Sequence, residues 1–262
     1  MLLAHSHNGL KWYEFAGLAA HPELRHGVFT RLGGVSGPRG RELNLAFGET
    51  DTPENVVTNL GRAEAALGLP PAAFVRQAHS ADILVVRPED GYQPRAPEEA
   101  RPGYDALLAP VPGPALLIRA ADCQAVLLYD PASRALALVH NGWRGSVQNI
   151  LGRAVAALAD AGVPPARLKA AISPSLGPCC AEFVNHRAEL PPRFLPFMVR
   201  ENFFDFWAIS RSQLTEAGLL EERLETAGIC TRCTPEFYSY RRGDKWPRFG
   251  FLAGARAGED GP

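Results

Sequence analysis

The sequence predicts an α/β fold of the mixed α+β kind, in which mixed sheets and flanking helices form a single layered domain. Three observations predict it. Short apolar runs typical of strands outnumber the runs with helical periodicity, and these strand-like runs come in pairs. The 25 glycines and 23 prolines divide the 262 residues into short elements. Strands that alternated regularly with helices would instead have favoured a doubly wound parallel sheet.

The first predicted elements are a strand and a helix. Residues 27–34 read as a strand that enters a turn. Thr52 is a helix cap, Pro53 suits the first helical position, and Gly68 provides a stop. The helical apolar stripe between them consists of Val56, Val57, Leu60, Ala63 and Leu67.

A β-hairpin is predicted in the middle of the chain. A short strand at 83–86 and a polar, proline-rich loop at 88–103 precede it. The next strands are predicted at 115–118, 124–129 and 135–139. A turn at Pro131-Ala132-Ser133 separates the last two, which therefore form the hairpin.

The third part of the chain begins with the clearest helical periodicity, over residues 145–161, which Gly162 ends. The remaining predictions are a strand at 168–172, a helix at about 208–218 and closing strands at 237–241 and 248–252.

Composition and charge restrict the partners. The chain is 46% apolar, 21% charged and has a net charge of −1, so no global field would recruit nucleic acid or an anionic membrane. No apolar run reaches the ~18 residues of a membrane span, and the N-terminus does not read as a signal peptide. Five cysteines, an odd number, favour a reducing compartment, so we expect a cytoplasmic protein. No protein partner is identifiable from the sequence.

Three residues at predicted strand boundaries suggest a metal site. His79 precedes one strand, Cys123 begins one arm of the hairpin, and His140 ends the other. The start of one hairpin strand lies beside the end of its partner, so Cys123 and His140 should meet. Two imidazoles and a thiolate suit zinc, and three protein ligands leave a fourth position open for catalysis. Asp122 is a candidate proton carrier, or an acceptor of a hydrogen bond from one of the metal ligands.

Other interpretations of these residues stay open. Cys123 and His140 could form the nucleophile and base of a cysteine hydrolase, or the chain could be a binding protein without activity. A zinc ribbon would need a second motif like Cys230-Thr-Arg-Cys233, and we interpret the vicinal pair Cys179-Cys180 as a packed turn.

Several arginines are candidates for holding phosphate. Arg144 directly precedes a predicted helix N-terminus, where backbone N–H groups also favour anions. Arg31 precedes a pair of glycines, and Arg241 and Arg242 follow Ser239-Tyr240. Each is a weaker candidate than Arg144, because a single arginine is more often a surface residue or a structural clamp.

Seven segments together resemble the laccase-domain proteins, a family also called multicopper polyphenol oxidase-like and regarded as purine nucleoside phosphorylase-type enzymes. They are Thr30-Arg-Leu-Gly-Gly-Val-Ser36, Leu43-Asn-Leu45, Gln77-Ala-His79, Ala121-Asp-Cys123, His140-Asn-Gly-Trp-Arg-Gly145, Leu176-Gly-Pro-Cys-Cys180 and Tyr238-Ser-Tyr-Arg-Arg242. The resemblance covers nearly the whole chain, so residues 1–262 are interpreted as one purine nucleoside phosphorylase-like (laccase-like) domain.

The resemblance implies that His79, Cys123 and His140 are zinc ligands. It implies phosphorolysis of adenosine, inosine and S-methyl-5'-thioadenosine, with adenosine deamination as a second activity. Purine nucleosides and phosphate are therefore the expected partners, and Asn44 is a further candidate substrate contact. The chain departs from many relatives at Leu60, where an arginine is common, and at Asn141, where alanine is common.

The older family name suggests copper and a polyphenol oxidase (laccase) activity. A four-copper oxidase needs roughly ten histidines around its metals. This chain has seven, and its only His-x-His pair is His5 and His7. The histidine count therefore favours zinc, and copper is the alternative.

Overall fold

The computed structural model describes residues 1–38 and 40–256. The strands are β1 (Leu2–His7), β2 (Leu10–Phe15), β3 (Leu24–Phe29), β4 (Leu32–Ser36), β5 (Ala72–Ala73), β6 (Ile83–Val85), β7 (Ala106–Ala109), β8 (Ala115–Ala120), β9 (Gln124–Tyr129), β10 (Leu136–Asn141), β11 (Lys169–Ile172), β12 (Met198–Arg200), β13 (Phe203–Phe204), β14 (Leu224–Thr226) and β15 (Phe249–Ala255). The α-helices are α1 (Ala16–Ala19), α2 (Pro53–Leu67), α3 (Trp143–Gln148), α4 (Ile150–Asp160), α5 (His186–Glu189) and α6 (Phe206–Glu216). Short 3-10 helices occupy Pro88–Asp90, Pro165–Arg167, Pro192–Phe197, Glu221–Arg223 and Tyr240–Arg242.

Two mixed six-stranded sheets pack face to face. The first has the order β1-β2-β3-β15-β8-β5, and the second has the order β14-β11-β9-β10-β7-β6. Alternate residues of the central strands β8, β9, β10 and β15 enter the shared core, as the pleat requires. On β8, Ile118 faces the second sheet while Leu117 faces α2; on β9, Leu127 faces the first sheet while Val126 faces the layer of α4 and α6. The result is a four-layer α/β/β/α arrangement, which confirms the predicted mixed fold.

The predicted hairpin is present and fixes the site. Strands β9 and β10 are antiparallel, with Ala125 opposite His140 and Gln124 opposite Asn141. Cys123 directly precedes β9, so it lies beside the end of β10 that carries His140. The helix from Pro53 is also confirmed: the Thr52 side chain accepts from Asn55 N at 3.3 Å, and Gly68 ends the helix at φ 62°.

The predicted single helix over 145–161 is wrong, because Asn149 divides it into α3 and α4. Asn149 adopts φ 55° and ψ 49°, a left-handed conformation that asparagine tolerates better than most residues. Its side chain accepts a hydrogen bond from Gly152 N at 3.2 Å and so caps α4. The break turns α3 away from α4 and places Trp143 and Arg144 over the site.

The predicted strand at 237–241 is also wrong. Ser239 Oγ accepts a hydrogen bond from Arg242 N at 3.1 Å and caps a 3-10 helix, while Ser239 N donates to Asp244 at 2.9 Å. These local bonds replace the ladder that a strand would need. The second closing strand is confirmed as part of β15. Among the described residues, none of the helices has the length and apolar character needed to cross a bilayer.

Candidate metal centre

Three sequence-predicted donors meet at the open end of the hairpin. Sγ of Cys123 lies 3.9 Å from Nε2 of His79, and the rings of His79 and His140 are 5.0 Å apart. One donor atom from each of the three residues falls within 4.8 Å of the other two. Zinc bonds of about 2.0–2.3 Å place tetrahedral donors about 3.3–3.8 Å apart, so only small shifts are needed to bind the ion. The donor set therefore fits a zinc ion with a fourth position open.

A buried carboxylate, Asp105, orients both histidines. Its Oδ1 lies 2.7 Å from His140 Nδ1, which leaves His140 Nε2 to face the other donors. Its Oδ2 accepts hydrogen bonds from the backbone of Ala78 at 3.0 Å and of Ser80 at 2.6 Å, on either side of His79. Burial opposes the charge, but the hydrogen bond and charge of His140 lower the pKa of Asp105 to about 2. Carboxylate–histidine pairs of this kind fix the tautomer and direction of metal ligands.

Asp105 was missed by the sequence analysis. Its one signal is position: it directly precedes the buried apolar strand β7, as Asp122-Cys123 precedes β9. No spacing rule links it to His140, because β7 and β10 become neighbours only in the folded sheet.

The backbone around the donors is held in an uncommon conformation. His79 has φ 58° and Asp122 has φ 89°, values that few residues other than glycine adopt. Asp122 Oδ1 accepts from Thr231 Oγ1 at 2.7 Å, and Oδ2 accepts from Arg241 N at 2.7 Å. The predicted role of Asp122 as a proton carrier stays a prediction. Its carboxylate fixes the loop that presents Cys123.

The Cys123 thiol is ionised easily. Burial alone would raise its pKa, but the charges and hydrogen bonds of His140 and His79 outweigh burial and lower the pKa to about 6. The thiolate is the form of cysteine that binds metals and attacks electrophiles. Burial opposes the charge of His140 as well, but the same contacts raise its pKa to about 9, so Cys123 and His140 form a thiolate–imidazolium pair, and a bound metal ion would take the place of the imidazolium proton.

The donors lie in a cavity of about 910 Å³ that is large enough for a nucleoside-sized ligand. Aromatic side chains form much of its apolar lining: Phe47, Trp143, Phe183, Phe206, Tyr240 and Trp246. Arginines form its cationic part: Arg76, Arg119, Arg144, Arg241 and Arg248. The guanidinium of Arg144 lies 4.2 Å from the ring centre of Trp143, so this predicted phosphate-binding residue is also a stacking partner.

Arg119 and Arg248 are the cationic pair that the sequence analysis missed. Burial, together with the charge of Arg248, lowers the pKa of Arg119 to about 10. Neither arginine forms a salt bridge with any carboxylate of the described residues. The charges of Cys123, Asp122 and Asp244 act on Arg248, but neither Asp122 nor Asp244 forms a salt bridge with it. Both guanidiniums therefore keep N–H groups for an anionic ligand. Arg119 was detectable in principle, because it is the one charged residue in the apolar run of β8.

Three other predicted substrate contacts lie outside the lining of this cavity. Arg31 bonds Glu42 at 2.8 Å and lies over the Tyr238 ring. Asn44 donates to Ala46 O at 2.9 Å and to Asp51 at 2.8 Å. Arg242 donates to Thr231 O at 2.8 Å and to other backbone carbonyls of the same loop. Their polar groups stabilise loops, and their role as substrate contacts stays a prediction.

Fold and site together define a class of protein: a four-layer α/β protein with a His–Cys–His centre in a deep cavity. A family model described as multi-copper polyphenol oxidoreductase laccase matches residues 25–255, and the chain belongs to this family.

Named relatives and solved structures agree with this assignment. A purine nucleoside phosphorylase of Streptomyces coelicolor is 34% identical over 82% of this chain and 89% of its own length. A purine nucleoside phosphorylase of Deinococcus radiodurans is 33% identical over 83% of each chain. The crystal structure of YlmD from Geobacillus stearothermophilus superposes with a TM-score of 0.84 at 28% identity, covering 97% of this chain and 98% of that one.

We expect Gly142→Ala to disturb the donor cluster directly. A Cβ at Gly142 would lie 2.8 Å from Cys123 Sγ and 3.3 Å from His79 Cδ2, although the backbone at φ −86° accepts alanine. The thiol must shift, so zinc affinity should fall about tenfold or more, as for other changes that misorient ligands. Chelator competition measures the affinity.

Gly61→Ala is the matched control, because a Cβ there meets nothing within 4 Å on α2. It should leave zinc affinity unchanged and raise stability by about 0.5–1 kcal/mol. Equal zinc affinity in Gly142→Ala and the wild type would contradict the assigned donor geometry.

Proposed function

We propose that this chain is a zinc-dependent purine nucleoside phosphorylase. Its proposed substrates are adenosine, inosine and S-methyl-5'-thioadenosine with phosphate, and adenosine deamination is a proposed second activity. The supporting observation is that one cavity contains the donor trio, an aromatic lining and two arginines, Arg119 and Arg248, that form no salt bridge with the described residues. The purine part of the proposal comes from the relatives, several of which are named purine nucleoside phosphorylases.

His79, Cys123 and His140 are the residues that would hold the zinc ion, with Asp105 fixing His140 from behind. A bound zinc ion would supply a Lewis acid at this end of the cavity. The site has one cluster of two imidazoles and one thiolate. This donor set suits a single zinc ion better than the several copper ions of a multi-copper oxidase. Zinc sites of related composition also support deamination of purine bases, which is why we include that activity.

The aromatic lining suits the purine base. Flat heteroaromatic rings stack on aromatic side chains, and each such stack contributes about 1–3 kcal/mol. Trp143 is the first residue of α3, Tyr240 begins the 3-10 helix Tyr240–Arg242, and Trp246 lies in the loop before β15; all three line the cavity. A purine base held between these aromatic side chains would present its edge to the metal ligands. The aromatic side chains would also exclude bulk water from the base.

The cationic pair suits phosphate. Phosphorolysis requires phosphate to be held beneath C1′ of the ribose while the base departs with the glycosidic electron pair. Arg119 donates to Val75 O at 2.7 Å, and Arg248 donates to Lys245 O at 2.9 Å, so both guanidiniums are anchored and keep further N–H groups to donate. Fixed donors of this kind stabilise anions at little reorganisation cost.

One observation favours a second candidate, a cysteine hydrolase: the Cys123 pKa of about 6 and its closeness to His140 suit a nucleophile and base. Metal removal separates the two functions, because a metal-bound thiolate cannot attack substrate. The test is to incubate the purified protein with inosine and phosphate and to measure hypoxanthine and ribose 1-phosphate. Activity that is lost with a chelator and restored by zinc supports the phosphorylase; no hypoxanthine in any metal condition would refute it.

We expect Arg248→Met to weaken phosphate use specifically. Loss of a charge-assisted hydrogen bond costs about 1.5–3 kcal/mol, which corresponds to an increase of roughly 10–100-fold in the phosphate KM. The inosine KM should change much less, because methionine preserves the apolar part of the wall. Steady-state kinetics with each substrate varied in turn measures the difference.

Arg25→Met is the control, because Arg25 is an exposed arginine on the β3 strand, outside the cavity lining. It should leave both KM values unchanged. An unchanged phosphate KM in Arg248→Met, or an equal rise for inosine, would remove Arg248 from the phosphate site.

A further inference from the structure

Four cysteines that the sequence places in two distant segments form one cluster. Cys179 and Cys180 lie in the loop after β11, and Cys230 and Cys233 lie in the loop after β14. Cys233 Sγ is 3.8 Å from Cys179 Sγ and 3.5 Å from Cys180 Sγ, and all four sulfur atoms are within 4.8 Å of one another. The vicinal pair lies in a turn, as predicted, with Cys180 N donating to Gly177 O at 2.9 Å. The sequence analysis missed that this turn brings its two thiols to those of Cys230 and Cys233.

Backbone pairing brings the two loops together. Ser175 N donates to Ile229 O at 3.1 Å, and Thr231 N donates to Ser175 O at 3.0 Å, as in a short parallel bridge. Gly177 permits the close approach, because a Cβ there would be 3.0 Å from Cys230 Cβ. Strands β11 and β14 are parallel neighbours, so their following loops leave the sheet at the same edge.

We propose that Cys179, Cys180, Cys230 and Cys233 bind a second zinc ion with a structural role. Zinc bonds to sulfur at about 2.3 Å put the sulfur atoms of a tetrahedral site about 3.8 Å apart. The distances of 3.8 and 3.5 Å from Cys233 Sγ are close to this spacing, and the other sulfur pairs lie within 4.8 Å. Four thiolates complete the coordination shell, so this site has no position for substrate, unlike the three-donor centre at Cys123.

Disulfide bonding explains the arrangement less well. None of the four cysteines is in a disulfide, and Cys233 Sγ lies near two sulfur atoms, at 3.8 Å from Cys179 and 3.5 Å from Cys180, whereas a disulfide would join it to one. Cys180 and Cys230 are buried while Cys179 and Cys233 are exposed, so the cluster is half enclosed at the surface. A closed shell of thiolates around one ion uses all four sulfur atoms at once.

The proposed second ion would also stabilise part of the cavity, because both cysteine loops contact Asp122. Thr231, between two of the cysteines, donates to the Asp122 carboxylate at 2.7 Å. Leu176, just before the other pair, donates its N–H to Asp122 O at 2.8 Å. The proposed ion therefore fixes both loops that hold Asp122, the residue before Cys123.

The experiment counts metal ions in the full chain, purified under reducing conditions without chelator, by elemental analysis. We expect about two zinc ions per chain in the wild type, one for each cluster. Cys233→Ala should lower the count to about one, and Arg232→Ala, a non-ligand in the same loop, should keep two. Cys123→Ala should also lower the count to about one, and combining it with Cys233→Ala should leave none.

Alkylation of the native wild type gives an independent result if Cys233→Ala does not fold. Metal-bound thiolates should resist iodoacetamide, so the exposed Cys179 and Cys233 should react only after chelator is added; mass spectrometry locates the label. A wild-type count of one with Cys179 and Cys233 reacting at once would overturn the proposal. So would disulfide-linked peptides from the reduced preparation, or iron as the bound metal. Loss of one zinc ion in Cys233→Ala with the phosphorylase activity retained would support a structural role for this site.

Discussion

Cys123→Ala should abolish phosphorolysis and remove the zinc ion of the three-donor centre. The substitution deletes the one anionic donor of the cluster and leaves two imidazoles, which bind zinc far more weakly. Metal Lewis acidity contributes several kcal/mol to such reactions, so activity should fall about 1,000-fold or more. Elemental analysis and the hypoxanthine assay measure the two losses on the same preparation.

Two further variants make this prediction specific. Cys123→Asp keeps an anionic ligand and should retain part of the zinc, whereas a cysteine nucleophile would lose all activity in both variants. Val184→Ala removes an exposed apolar side chain from the cavity rim and should leave zinc and kcat close to the wild type. Full activity and zinc retained at this centre in Cys123→Ala would disprove the assigned ligand set.

Asp105→Asn should weaken the same centre without touching a ligand. The Asp105 carboxylate accepts from His140 on one side and from the backbone of Ala78 and Ser80 on the other. An amide has one oxygen, so it must oppose a donor with its own N–H group on one of the two sides. Loss of such a partner costs about 10–100-fold in metal affinity or activity. Chelator competition and kcat measure the change.

The acid limit of stability gives a second readout for Asp105. The pKa of Asp105 is lowered from its ordinary 3.8 to about 2 in the folded protein, so the carboxylate stabilises the fold above pH 3.8 and loses this effect as the pH falls toward 2. Asp105→Asn should therefore lose less stability than the wild type as the pH falls from 3.8 toward 2. Asp82→Asn, an exposed neighbour, should behave like the wild type in both readouts. Wild-type zinc affinity in Asp105→Asn would show that His140 is oriented by other contacts.

The part of the site that a hairpin builds was predictable from sequence. Cys123 and His140 lie 17 residues apart on paired strands, and a turn signal at Pro131-Ala132-Ser133 fixed their register. Antiparallel pairing then placed both donors at the same end of the hairpin. Local signals were also sufficient for α2, where a cap and a glycine mark both ends.

The parts built by distant pairing were not predictable. Asp105 reaches His140 across the β7–β10 pair, and the four cysteines meet because β14 lies parallel to β11. The spacing of residues along the chain does not predict which distant strands become neighbours. The break at Asn149 was missed for a different reason: apolar periodicity continues through α3 and α4, while a side-chain cap decides the backbone.

The position of β15 determines when the chain can acquire its proposed anion site. This last strand inserts between β3 and β8, with Gly250 opposite Arg119, and Arg248 stands just before it. Synthesis must therefore pass β15 before Arg119 and Arg248 become neighbours, whereas the hairpin ligands Cys123 and His140 can pair once β10 is complete. Metal capture can precede completion of the first sheet during biosynthesis, and phosphate recognition must follow it.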